Sequence, residues 1–174
     1  MIKFDYVFTT SASPQEVFDL FTNPTRGPEW RESAVSAEWT SDAPHGVGST
    51  IKSLDKVLGR EIESIQEITA WDPPNKNGFK GASGPMSFEL TATFEAHDSG
   101  TKATIKLEAE SGGLFKIAEN LFAKQMEKQV TADMAGLKRV LESWYSPDQP
   151  TITIVSLNIS GHLYMITIGM TDIG

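Results

Sequence analysis

The sequence predicts an α+β domain in which a curved antiparallel sheet of about seven strands folds round one long C-terminal helix, with two short helices after the first strand. Three observations lead to this. Residues 87–110 alternate strictly, with Phe88, Leu90, Ala92 and Phe94, then Ala103, Ile105, Leu107 and Ala109, on the apolar phase. From Leu114 to Trp144 the period changes, and Phe122, Met126, Val130, Met134, Leu137, Leu141 and Trp144 recur at spacings of three and four, the stripe of an amphipathic helix. Gly112-Gly113 separates the two patterns, and only the sheet is long enough to cover the stripe.

The remaining elements follow in order. Ile2, Phe4, Tyr6 and Phe8 alternate with polar residues and define a first strand from Ile2 to Thr10. Ser13 suits a helix N-cap, Pro14 the first helical position, and Glu16 stands three residues after the cap as in a capping box; Asn23-Pro24 ends that helix. A second short helix or turn from Arg26 to Arg31 carries Trp30. Strands are expected at 34–40, 48–57 and 60–71, the last two a hairpin turning near Leu58-Gly59, and Phe79 sits in a weak Gly-flanked strand after the stop at Asp72-Pro73-Pro74-Asn75. Asp98-Ser99-Gly100 joins the two strictly alternating strands. Beyond Ser146, Pro147 and Pro150 break the helix, and 151–157 with 163–171 read as a hairpin. The expected division is a domain at 1–145 and an extension at 146–174. A lone hairpin is marginal in water, so it must pack on the body, extend a sheet edge or pair two copies as a homodimer.

Composition narrows function. A net charge of −8 and a pI near 4.9 argue against nucleic acid, whose backbone is met mainly by Lys and Arg. The absence of cysteine removes disulfides, thiolate metal sites and a Cys nucleophile. The start Met1-Ile2-Lys3-Phe4-Asp5-Tyr6 lacks the features of a secretory signal, and no run of roughly 20 apolar residues is present to span a bilayer. A cytoplasmic protein without stable membrane insertion is the expectation.

Several motifs then resemble a family in their order: Ser11-Ala12-Ser13-Pro14-Gln15-Glu16-Val17-Phe18, Pro28-Glu29-Trp30, Gly46-Val47-Gly48-Ser49, Ile68-Thr69-Ala70-Trp71-Asp72-Pro73-Pro74, Gly100-Thr101-Lys102-Ala103-Thr104 and Leu137-Lys138-Arg139-Val140-Leu141-Glu142. Over roughly Ile2 to Ser143 the chain resembles the START-like (SRPBCC) superfamily, and within it the polyketide cyclase/dehydrase-like branch. The resemblance implies a helix-grip (START/Bet v 1-like) fold with a pocket between sheet and helix for a lipid, sterol, polyketide, plant hormone or quinone. It carries over no catalytic residue, because the branch has no motif common to its members. The tail beyond Ser146 departs from the pattern.

The residues expected to bind a ligand are Trp30, Phe79, Phe88, Leu90, Phe122, Met126 and Val130. Trp30, placed near the pocket mouth by the resemblance, either stacks on a ligand ring or plugs the end of the core, and general burial of Trp favours the plug. Met126 and Met134 suit a permissive cavity, although a plain core is the commoner role. His45, His97 and His162 are scattered and read as surface residues, so no metal site and no cofactor is expected. Glu61, Glu63 and Glu67 read as a solvated face rather than as an acid or base within the cavity. The leading expectation is a binder of a hydrophobic or aromatic small molecule. A cyclase/dehydratase-type enzyme and a co-chaperone-like or regulatory protein acting through its surface are the alternatives.

Overall fold

The computed structural model describes residues 2–57, 59–83, 87–110, 119–145, 153–159 and 162–168. Nine strands and three α-helices are described: β1 (Ile2–Thr10), α1 (Pro14–Thr22), a 3₁₀ turn (Pro24–Arg26), α2 (Gly27–Trp30), β2 (Ala34–Trp39), β3 (Thr50–Val57), β4 (Arg60–Asp72), β5 (Lys76–Ser83), β6 (Ser87–His97), β7 (Gly100–Glu110), α3 (Glu119–Ser143), β8 (Thr153–Ile159) and β9 (His162–Ile168). The first seven strands form one antiparallel sheet in the order β1-β7-β6-β5-β4-β3-β2. This is the expected α+β, START/Bet v 1-like architecture.

Register follows the apolar phase, because a one-residue slip would turn every buried side chain to water. Across five strands Phe4, Leu107, Leu90, Phe79 and Ile68 stand opposite one another. One position away, Lys3, Glu108, Glu89, Lys80 and Glu67 form the corresponding outer row. That row carries ion pairs Lys3–Glu108 at 2.6 Å and Lys80–Glu67 at 3.4 Å, and Glu63 pairs with Lys52 at 2.9 Å. Glu63 and Glu67 therefore belong to the solvated face, as their alternation suggests. Two irregularities between β4 and β5 break the period: Ala82 is extra between Ile65↔Ser83 and Gln66↔Gly81, and Thr69 between Ile68↔Phe79 and Ala70↔Gly78. The second lets both Ile68 and Trp71 face inward despite their odd separation, and Trp71 meets Phe18 of α1 edge-on at 5.2 Å.

α1 begins at the expected capping box. Ser13 Oγ accepts from the Glu16 N–H at 3.4 Å, and Glu16 Oε2 accepts from the Ser13 N–H at 2.8 Å. Its buried face, Val17, Phe18, Leu20 and Phe21, joins Phe8, Ala92, Phe94, Ala103 and Ile105 of the sheet and Met134, Leu137 and Leu141 of α3 in one core. Met134 is thus a core residue. Trp144 departs from the expected stripe: it lies just past α3, 38% exposed, with the Arg26 guanidinium 5.3 Å from its ring. The helix end is tied down by polar contacts. Glu142 accepts from the Ser11 N–H at 3.2 Å, and the Tyr145 hydroxyl donates to Glu16. That bond holds Glu16 below the usual carboxylate range and pushes Tyr145 up to about 12. The expected start of α3 at Leu114, and Gly112-Gly113, lie outside the described residues.

In the tail, β8 and β9 pair with each other from Thr153↔Ile168 to Ile159↔His162, a separate two-stranded sheet. The strands run closer together in sequence than expected, since Asn158 and Ile159 belong to β8 and His162 to β9.

α3 crosses α2 at a glycine. A Cβ on Gly136 would lie 2.1 Å from the Trp30 carbonyl oxygen, which is backbone and cannot rotate away. Gly136→Ala is therefore expected to destabilise the fold by about 1–3 kcal/mol, the usual cost of overpacking, although alanine is the better helix former. Gly46→Ala, whose added carbon meets nothing within 4 Å, is the control and should change little. Urea unfolding of the two variants checks the difference.

Candidate functional site

The short elements after β1 roof one end of the sheet's inner face and leave a cavity of about 50 Å³ beneath them. α1 and the 3₁₀ turn supply Phe21, Thr22 and Pro24 with the intervening Asn23, α2 and its exit supply Gly27, Trp30 and Arg31, and the sheet supplies Ala37, Ile51, Ser53, Gln66, Ile68, Asn77 and Phe79. At roughly 10–15 Å³ for each water-sized probe, the space takes a few water-sized groups. Drug-sized pockets run to about 300–1,000 Å³, so it fits one end of a larger molecule or a small ring.

The apolar walls are held by aromatic packing. Trp30 stacks on Phe21 with centroids 5.7 Å apart and planes at 21°, and Phe21 reaches Phe79 at 6.5 Å. Phe88 meets Phe79 edge-on at 6.1 Å. The structure therefore brings together Trp30 and Phe79 at the cavity, with Phe88 behind Phe79. Leu90 and Val130 pack half-buried against the core, and Met126 is half-buried on α3. These three are not among the described residues that line the cavity. Phe122 lies on α3, and its side chain is outside the described residues.

Sequence reading passed over the polar lining. Gln66 stands two residues before Ile68 and Asn77 two before Phe79, so both sit on the inward phase of their strands, and that was the available signal. Gln66 Nε2 donates to Ser53 Oγ at 3.1 Å, and Ser53 shares a hydrogen bond with Ser64 at 3.0 Å. Thr22 donates to the Phe18 carbonyl at 2.8 Å, and Asn23 Oδ1 accepts from the Thr25 N–H at 3.2 Å. Trp30 Nε1, Arg31 Nε and Asn77 Nδ2 are buried without a partner. Arg31 is anchored from its far side, with Nη2 donating to Asp55 on β3 and the guanidinium 5.8 Å from the Trp30 ring.

A buried carboxylate that sequence reading also missed lies on α3, within the influence of the Arg31 charge. Asp133 of α3 accepts from Gln129 Nε2 at 2.9 Å, and its pKa is raised, chiefly by burial; the Gln129 bond, the Arg31 charge and a Glu32 backbone hydrogen bond oppose the shift, while Asp55 adds to it. It does not line the cavity. His45, expected at the surface, is instead half-buried and stacked on Trp39 at 3.9 Å, because the 41–49 loop folds back over β2. Among the described residues, no group of three or more His, Cys, Asp or Glu is arranged to hold a metal ion, and no helix is long and apolar enough to cross a membrane.

A curved sheet, a C-terminal helix and a roofed cavity between sheet and short helices define a START-like helix-grip protein. The chain belongs to the family described as polyketide cyclase/dehydrase and lipid transport, whose model matches residues 1–142. Solved structures with the same fold include a START superfamily protein from Mycobacterium smegmatis (TM-score 0.73, 11% identity, 83% of this chain and 99% of that one). The protein TTHA0849 from Thermus thermophilus is similar too (TM-score 0.71, 20% identity, 83% and 99%). So is the Zhui aromatase/cyclase from Streptomyces sp. R1128 (TM-score 0.71, 11% identity, 84% and 97%). Among curated proteins, an uncharacterised protein of Mycobacterium tuberculosis is 26% identical over 70 residues, 39% of each chain. The match thus spans well under half the length of that relative.

Because Asp133 holds its proton more tightly folded than unfolded, its contribution to stability is fully present at low pH. It is lost as pH rises from the ordinary Asp value, about 3.9, through the raised value. Asp133→Asn should therefore melt at a higher temperature than the wild type at pH 7, and the gap should close below about pH 4. Thermal melts at the two pH values check the sign.

Proposed function

We propose that the protein binds a hydrophobic or aromatic small molecule, with one end of the molecule seated between the sheet and the α1–α2 segment. The observation that carries this reading is the partly open, mainly apolar cavity walled by Phe21, Trp30, Ile51, Ile68 and Phe79 at the inner face of the sheet. Burial of apolar surface supplies the affinity, at about 25 cal/mol per Å², and the few polar groups set orientation. The family description, which joins cyclases and lipid transport, supports a ligand of this class. In this reading residues 1–145 are the binding domain, and Phe88, Leu90, Met126 and Val130 extend the apolar surface along sheet and helix from the cavity toward the ligand's far end.

Cyclase-type catalysis is the second reading, favoured by one observation: Asp133 is a buried carboxylate with a raised pKa. A general acid or base must come within hydrogen-bond reach of its substrate. Asp133 is not among the residues that line the cavity, and so binding is the better-supported function.

Ala37 projects into the cavity from β2, and a larger side chain there fills it. Ala37→Leu is expected to weaken binding of the neutral fluorescent probe N-phenyl-1-naphthylamine by about tenfold or more while leaving the far-UV circular dichroism unchanged. A probe that never brightens with the wild type, or that binds Ala37→Leu equally well, contradicts the proposal.

A further inference from the structure

The lining of the cavity shows where it meets solvent. Ile51, Ser53, Gln66, Ile68 and Asn77 of the sheet and Trp30 of α2 are buried. Thr22, Arg31 and Ala37 are half-buried and Asn23 is exposed, and these four come from the α1–α2 segment and from β2, the last strand of the sheet, which pairs on one side only. Phe79, also half-buried, is on β5, separated from β2 by β4 and β3, and has Phe88 against its ring. The mouth of the cavity therefore lies between the α1–α2 segment and the edge strand.

Arg31 reaches across one end of that mouth. It follows α2 directly, and its guanidinium donates through Nη2 to Asp55 of β3, the residue paired with Ala34 at the start of β2. The backbone around it is fixed. The Arg31 N–H donates to the Gly27 carbonyl at 2.9 Å, the Lys56 N–H donates to the Ser33 carbonyl at 2.7 Å, and Gly136 abuts the Trp30 carbonyl. The ion pair is freer: the two side chains are 20% and 19% exposed, so water reaches both charges and the long guanidinium stem can swing outward. Opening is then a side-chain event that leaves the cavity walls in place. We propose that the Arg31–Asp55 ion pair is a strap across the mouth, which governs how fast a ligand enters and leaves rather than how tightly it is held. This device rests on the binding function proposed above.

Stopped-flow fluorescence of the full chain with N-phenyl-1-naphthylamine tests it, because the probe is neutral and responds to the strap rather than to charge. Asp55→Asn keeps the shape of a side chain that does not line the cavity, and Asp133 still acts on the Arg31 charge. This variant should raise the association and dissociation rate constants together by about fivefold, the scale of a partly exposed ion pair, with Kd within about twofold. Asp55→Glu, which restores the carboxylate, should return both rates to within about twofold of the wild type. Raising salt from about 0.05 M to about 0.5 M should quicken both steps for the wild type and leave Asp55→Asn unchanged. Wild-type rates in Asp55→Asn with no response to salt in either protein, or a change confined to dissociation and Kd, overturns the strap and leaves the binding function standing. A probe that never brightens with the wild type overturns both.

Discussion

The arrangement depends on how closely α3 can approach α2. At Gly136 the helix backbone comes so near the Trp30 carbonyl that any side chain would separate them. A glycine within a helix costs about 1 kcal/mol relative to alanine, and here that cost is offset by what the contact positions. With the Trp30 backbone held against α3, its ring is presented to Phe21, and the stacked pair becomes the roof of the cavity. Arg31, the next residue, is directed to Asp55 on β3. One backbone contact thus sets the distance between helix, short elements and sheet.

The cavity then combines two opposing demands. Apolar walls supply affinity without direction, whereas polar groups supply direction and are costly when left unpaired. Ser53, Ser64 and Gln66 resolve the conflict among themselves through linked hydrogen bonds. Trp30, Arg31 and Asn77 leave it unresolved. Asp133 belongs to the same balance of charge: buried on α3 and held by Gln129, it feels the Arg31 charge without itself lining the cavity.

Much of this was legible in the sequence wherever one local rule acts alone. β6 and β7 alternate without interruption, so their inward residues could be named outright, and Ser13-Pro14-Gln15-Glu16 announces its helix through the capping box it forms. Trp30 stands out as a large aromatic after a turn, and Phe79 as one in a weak, Gly-flanked strand. The reading failed where tertiary structure overrides period. Extra residues between β4 and β5 shift the inward phase, so Trp71 faces the core although strict alternation from Ile68 would turn it outward. Trp144 continues the spacing of the helix stripe, but α3 ends at Ser143, and the ring takes Arg26 as its partner at the surface. Arg31 and Asp133 are far apart in the chain, and no local pattern foretells that α2 and α3 bring them together.

Everything proposed for this protein turns on whether the space under Trp30 and Phe21 receives the ligand. Intermolecular nuclear Overhauser effects decide it, measured on protein labelled at isoleucine and valine methyl groups with N-phenyl-1-naphthylamine as the bound molecule. Contacts are expected from the ligand to Ile51 and Ile68, which line the cavity, and none to the exposed Val7 or Val47. Contacts confined to the exposed valines, with Ile51 and Ile68 silent, would contradict it.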